Sequence, residues 1–425
     1  MLLRFSVRNH LSLRDEEALT LTQSALKDND IGLIGNPLYK PSSILPAAII
    51  YGANASGKSN VVAALEMMQG HVVNSHSHGT PGGGIPRSSF ALDDSQKLTT
   101  SKFEIDFITS SLRYNYGFET DGKVFTAEWL YCFPSGRIQK LFERKNQDFS
   151  FGRALRGQNK TIEGLTRNNS LFVSAAAQND HEELLKVFSY VKNINFASHI
   201  SVPSGLAMSL LKEGKVDERV IKFLERIGTG VVSYKNHEID LSPNSKALTE
   251  GLRDLLSKIL KIDLPTDFIE NASKMSIQLG HKGEKSKIEY FELARESAGT
   301  RRLLVLLGLV FSALDAGSVI VIDELDASLH TQAVETLIAM FSTRKNNPKG
   351  AQLVATVHDT NILRSQYLRR DQIWFTEKDE FGATRLFPMS DIQTHKGDNL
   401  EKGYLEGRYG ATAFSGPISN VISDL

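Results

Sequence analysis

Apolar and polar residues alternate from the first positions, MLLRFSVRNH, which predicts a strand over Leu2 to Val7 with Ala18 to Thr22 as its hairpin partner. Ala47 to Tyr51 (AAIIY) is instead an unbroken apolar run that ends in glycine, the pattern of a strand buried on both faces of a parallel sheet. A helix is expected from Lys58 to about Met68. The Ser/His/Gly/Pro segment from Asn74 to Ser89 reads as a flexible loop. Alternation returns over Phe103 to Ile108, Arg113 to Glu119, Val124 to Tyr131 and Gln139 to Arg144, predicting an antiparallel meander.

Near Ser174 the period changes from two to three or four. Leu206, Leu210 and Leu211, then Val220, Phe223, Leu224 and Ile227, then Leu248, Leu252, Leu255, Leu256 and Ile259 recur at helical spacing. No heptad run is sustained, so no long coiled coil is expected. Strands resume at Met275. The chain therefore divides into an N-terminal half (1–174), a mostly helical insertion (175–272) and a C-terminal half (273–425), an α/β fold whose mixed sheet carries an antiparallel subdomain.

Composition narrows the class. The 425 residues are 41% hydrophobic and 23% charged, ordinary values for a water-soluble globular protein large enough for more than one lobe. Lys plus Arg equals Asp plus Glu at 49 each, so no global field draws the chain to nucleic acid or to an anionic membrane. The single cysteine, Cys132, excludes a disulfide within the chain and fits a reducing cytoplasm. Leu303 to Ile322 is the most apolar stretch. Asp315, Ala316 and Gly317 break it into halves too short to cross a bilayer, which predicts a buried helix followed by a buried strand.

The chemistry concentrates in two places. Gly52-Ala-Asn54-Ala55-Ser56-Gly57-Lys58-Ser59 is a complete GxxxxGK[ST] between a predicted strand and a predicted helix. A phosphate chain carries dense negative charge, and such a loop meets it with backbone N–H groups at a helix N-terminus. Gly52 and Gly57 permit the turn, Lys58 would reach the outer phosphates, and the Ser59 hydroxyl would ligate Mg²⁺. The second place is Val319-Ile-Val-Ile322-Asp323-Glu324, predicted as a buried strand beside the loop's strand, with two carboxylates at its C-terminal end. Asp323 is the expected Mg²⁺ partner and Glu324 the candidate general base for an attacking water. ATP with Mg²⁺ is the implied ligand.

Three further segments stand in a telling order. Glu296-Ser297-Ala298-Gly299-Thr300 precedes the long apolar helix, Leu325-Asp326-Ala327-Ser328-Leu329-His330 follows Glu324, and Leu353 to Thr356 is a strand leading to Val357-His358-Asp359. Alone, Ser297 would be an ordinary helix N-cap and His358 a buried histidine at a strand end. Together, GANASGKSN, ESAGTRRLL, VIDELDASLH and LVATVHDTNIL resemble the RecF/SMC-like branch of ABC ATPases, in which Asn54 and Asn60 are typical loop residues. More closely, the chain resembles stand-alone bacterial ATP-binding proteins of the abortive-infection RloA/AbiLi-like type, from FSVRNHLSLRDEEALTL through LFVSAAAQND to NLEKGYLEGRYGA.

That resemblance implies an ABC-type P-loop head. The signature, Ser297 and Gly299, would cap the γ-phosphate held by a second subunit, with Asp326 in the D-loop and His358 as the switch histidine. It further implies a homodimer or higher homo-oligomer closed by ATP, a likeness to the ATPase half of OLD-family nucleases, and a separately encoded, nuclease-like effector in antiviral defence. Nucleic acid is a possible further partner. Relatives often carry a basic residue where this chain has Leu11, with Arg8 and Arg14 as the nearby cations, and neither Gln96 nor Gln139 stands in Q-loop context.

Other signals carry less. His76 and His78 lie in the polar loop without acidic or cysteine neighbours, a solvated pair rather than a metal site. Glu377-Lys-Asp379-Glu380 reads as a hairpin tip, and Arg369-Arg370 as surface charge. A transporter energy subunit would show an LSGGQ signature and no large insert. A kinase or GTPase has no use for a signature acting across subunits, and no guanine-specifying motif is present. A RecF-like DNA-maintenance ATPase remains the alternative role for the same machinery.

Overall fold

A computed structural model describes residues 1–35, 43–197, 216–238, 275–284, 287–395 and 397–411. The chain divides into two compact units. The first comprises Met1–Ser198, Ala313–Asp326 and Val334–Leu425, and the second His199–Ser312 and Ala327–Ala333.

The first unit holds two sheets. Strands β1 (Leu2–Arg8), β2 (Glu17–Thr20), β4 (Ser101–Thr109), β5 (Leu112–Thr120), β6 (Phe125–Cys132), β7 (Gln139–Lys145) and β8 (Asp148–Phe151) form an antiparallel sheet in the order β2-β1-β4-β5-β6-β7-β8. All but β8 coincide with segments read as strands from alternation, where every second residue faces the core; burial goes further in β1, β4 and β5, which also bury consecutive residues. Strands β3 (Ala47–Gly52), β9 (Asn195–Ala197), β13 (Val319–Ile322), β14 (Gln352–Thr356), β15 (Ile373–Lys378) and β16 (Thr384–Pro388) form the other, ordered β16-β15-β3-β14-β13-β9. Only β16 runs antiparallel to its neighbour. All residues of β3, β13 and β14 are buried, as continuous apolar runs require.

One expectation about order is corrected. β13 does not lie beside β3; β14 pairs with both and separates them. An apolar run identifies a buried strand but carries no information about its neighbours.

The helix Lys58–Asn74 runs past the predicted end at Met68 and buries Val61, Val62, Leu65, Met68 and Val72 on helical spacing. His71, on this helix, meets Phe118 and Phe125 of the antiparallel sheet edge-on, at 5.7 and 5.9 Å between ring centres. Two fully buried charges tie that sheet to the helix Phe172–Gln178. Glu128 accepts from Phe172 N at 2.7 Å and from Val173 N at 3.1 Å. Arg144 lies 3.5 Å from Glu128 and donates to the carbonyl of Ser170. A buried carboxylate persists only with such partners.

Of the stretch 175–272, residues 175–197 belong to the first unit. They finish the helix Phe172–Gln178, form the helix Glu182–Lys192, and end in β9, whose three residues are too short for a periodic signal. In the second unit, the helix Glu218–Arg226 stands where the period predicts one, burying Val220, Phe223 and Leu224. It packs on β10 (Val231–Glu238), which joins β11 (Met275–Lys282) and β12 (Ile288–Glu292) in an antiparallel sheet. The runs at 206–211 and 248–259 lie outside the described residues.

Arg369 and Arg370 are not surface charge. Arg369 is 2% exposed and bonds Asp371 and the carbonyl of Asn29, while Arg370 bonds Asp28 at 2.7 Å. Their partners lie partly some 340 positions away, beyond any local pattern. Among the described residues, no helix is long and apolar enough to cross a membrane.

Candidate nucleotide site

The loop between β3 and the helix Lys58–Asn74 turns on residues of positive φ: Ala55 at 61° and Gly57, the helix N-cap, at 108°. A side chain at Gly57 would collide with Thr384, and one at Gly52 would collide with Thr376 and Ser56. Gly57 is therefore demanded twice, by conformation and by close approach, and Gly52 by close approach.

Hydroxyl groups from distant elements hold the loop from beneath. Ser56 Oγ is 2.6 Å from Thr376 Oγ1 on β15. Thr384 Oγ1 on β16 donates to the Ser56 carbonyl at 2.8 Å and lies 2.7 Å from Ser12 Oγ. Asn60, on the first helical turn, donates to Ser12 at 2.5 Å. Asn60 thus anchors the loop from below, while Asn54, Ala55 and Ser59 are exposed on its outer side. Lys58 is 5% exposed and donates to the carbonyls of Gly52 and Ala53 at 2.8 and 3.0 Å. Burial lowers its pKa, and the nearby carboxylates of Asp323, Asp326 and Glu324 oppose that shift.

The acidic end of β13 lies against this loop. Ser59 Oγ donates to Asp323 Oδ1 at 3.2 Å. Thr356, the last residue of β14, donates through Oγ1 to the same oxygen at 2.6 Å and accepts from Glu324 N at 2.7 Å. One hydroxyl thereby fixes both carboxylate residues, and it can do so because β14 is the strand between β3 and β13. Glu324 has φ of 52°, a left-handed conformation that costs a non-glycine residue about 1–3 kcal/mol. Asp326 turns inward: its Oδ2 accepts from His358 N at 2.9 Å and Asp359 N at 2.7 Å. It thus shapes the loop that carries His358. His358 itself is exposed, two residues beyond the end of β14, and is not a buried strand-end histidine.

In the second unit, Ser297 is the N-cap of the helix Ala298–Ala316, accepting from Thr300 N at 3.0 Å. The cap bond serves the third helical residue, and the first N–H groups of a helix, here those of Ala298 and Gly299, have no partner within the helix itself. A Cβ on Gly299 would stand 2.5 Å from the carbonyl of Ser328, so only glycine fits where the backbone at Ser328 crosses the segment Glu296 to Thr300.

The donor set suits ATP with Mg²⁺. A positive-φ glycine cradle, a helix N-terminus and a buried ammonium match phosphate oxygens. A hydroxyl and a carboxylate 3.2 Å apart match a small hard cation. Sequence reasoning found the loop and the acidic pair but missed Ser12, Thr356, Thr376 and Thr384, whose types and positions give no signal. Among residues singled out earlier, Arg8 pairs with Glu119, Arg14 with Asp15 and Asp379, and Leu11 takes φ of 51°. His76 lies 3.0 Å from Ser170 Oγ, and His78 3.1 Å from Asn74. Gln96 sits in the short helix Asp94–Leu98 and Gln139 opens β7.

Residues 47–364 match the family described as "AAA domain, putative AbiEii toxin, Type IV TA system". The chain belongs to that family and is a P-loop ATPase of the AAA/ABC-like kind. No curated protein matches it.

Proposed function

We propose that this protein is an ATP-driven switch that hydrolyses ATP–Mg²⁺ and pairs with a second copy of itself across two nucleotides. The observation that carries the hydrolytic half is the single Thr356 hydroxyl that fixes Asp323, itself 3.2 Å from Ser59, together with Glu324. Lys58 and the N–H groups from Gly52 to Ser59 would bind the phosphates. Ser59 and Asp323 would hold Mg²⁺, whose chemistry there is to neutralise charge on the terminal phosphates. Glu324 orients a water in line and accepts its proton, and His358, exposed on the loop shaped by Asp326, would serve as the switch histidine.

The pairing half rests on the likeness of Glu296 to Thr300 and Leu325 to His330 to ABC signature and D-loop segments. The helix N-terminus behind Ser297 and Gly299 supports it by offering a partial positive charge to a phosphate. A role in abortive infection, with a separately encoded nuclease-like effector in the cytoplasm, is supported by the RloA/AbiLi-like motifs and by the toxin–antitoxin description of the matched family.

The test is sedimentation of a Glu324→Gln protein. It should form a larger assembly with ATP–Mg²⁺ but not with ADP, and adding Ser297→Arg should abolish that shift while calorimetry still shows ATP binding. Unchanged assembly in the double variant removes the signature from the mechanism.

A further inference from the structure

Beside the signature lies a carboxylate whose setting the proposed function does not use. Glu296 immediately precedes the N-cap Ser297, and its side chain is only 8% exposed. His281, on the central strand β11 of the second unit's sheet, meets it at 2.7 Å through Nε2. The ring of His281 is itself seated. A Cβ on Gly230, just before β10, would stand 3.2 Å from Nδ1. Phe291 of β12 meets the ring edge-on at 5.6 Å. In register, His281 faces Val231 on β10 and Glu289 on β12. Every strand of the sheet therefore contributes to where this imidazole sits.

From this geometry we infer that His281 is a positioning residue for the signature, and that the three-stranded sheet regulates the shared ATP site through the His281–Glu296 bond. The inference rests on the signature acting across subunits, as proposed above. A nearly buried carboxylate needs a partner, and among the described residues His281 supplies one. Without it Glu296 must rehydrate, and the backbone that carries Glu296 moves with it. Ser297 and Gly299 are the next residues along, so the direction of the helix N-terminus changes as well. A shift of the sheet, for instance on binding an effector, acts on the same bond. The P-loop lies in the other compact unit, so its own hold on ATP should not depend on His281.

The experiment places His281→Leu and His281→Gln separately in the Glu324→Gln background. Leucine fills similar space without a donor, whereas glutamine keeps an N–H for Glu296. ATP affinity measured by calorimetry should stay within twofold for both. The ATP concentration that drives assembly should rise tenfold or more for leucine and return towards the parent for glutamine. Equal assembly by both variants overturns the inference, as does a leucine variant that assembles like its parent. If the Glu324→Gln parent itself fails to assemble with ATP, the pairing across subunits is wrong and the inference falls with it. A comparison of melting temperatures separates these results from a general loss of fold. A leucine variant that matches the glutamine variant in melting temperature and still assembles poorly supports positioning.

Discussion

The loop that cradles phosphate and the segment that would cap a neighbour's phosphate are built differently. Gly52 to Asn60 is supported by Ser12, Thr376 and Thr384, which arrive from three separate strands or loops and close a set of hydroxyl bonds at 2.5–2.8 Å. Among the described residues, Glu296 to Gly299 is held mostly from within its own stretch of chain, by the bonds of the Ser297 hydroxyl to Thr300 and the backbone bonds to Leu293 and Arg301, and from farther away by His281 on Glu296 and the close backbone approach of Ser328 to Gly299. A surface that binds the same ligand in every state benefits from many supports, because the loop then enters binding already shaped. A surface that must respond benefits from few, because a small change moves it. On the function proposed above, the loop of the first unit would be the rigid half and the segment of the second the adjustable half.

The largest effect expected from breaking the rigid half is at Lys58. Lys58→Ala removes the only point charge within the loop, and ATP binding should fall below detection in a titration that resolves the parent. Tight binding by the variant would place the nucleotide elsewhere.

Next is Glu324→Gln. Turnover should drop by about 10²–10⁴, the worth of a positioned base, with ATP binding retained. Near-parental hydrolysis in the same preparation would exclude Glu324 as the base.

The comparison predicts a third effect on stability. Burial in the first unit lowers the pKa of His10 and His71 from 6.5 to about 4 each. The unfolded chain therefore binds more protons than the folded one below pH 6.5, so stability is full above that value and is lost as pH falls towards 4. Each group accounts for at most about 3 kcal/mol. His71→Leu should flatten urea-measured stability between pH 6.5 and 5 by up to one proton's slope. An unchanged slope would show that His71 titrates normally.

The smallest effect tests how over-determined the rigid half is. Thr356→Val removes the hydroxyl that joins Asp323 to Glu324, and turnover should fall about tenfold, a loss on the scale of one charge-assisted hydrogen bond, with Thr356→Ser restoring it. Equal rates for Val and Ser would show that neighbouring bonds suffice.

Much of this was legible along the chain. A strand buried on one face must alternate, a strand buried on both must be continuously apolar, and a phosphate loop must place its glycines, lysine and serine within eight positions. Each of those requirements is local, so β1, the meander, β3, the loop and the Asp323-Glu324 strand end could be read directly. Other features were decided only when the chain closed on itself. Gln352 bonds Leu2 across 350 positions, Ser12 meets Thr384 across 372, and Ser56 meets Thr376 across 320. Arg369 and Arg370 look like any exposed basic pair until Asp28, Asn29 and Asp371 surround them. The placement of β14 between β3 and β13, which makes Thr356 the bridge, is likewise a matter of neighbours. Periodicity and motif spacing report what a residue needs from its own element, whereas a hydroxyl or a guanidinium takes its role from whichever distant strand folds against it.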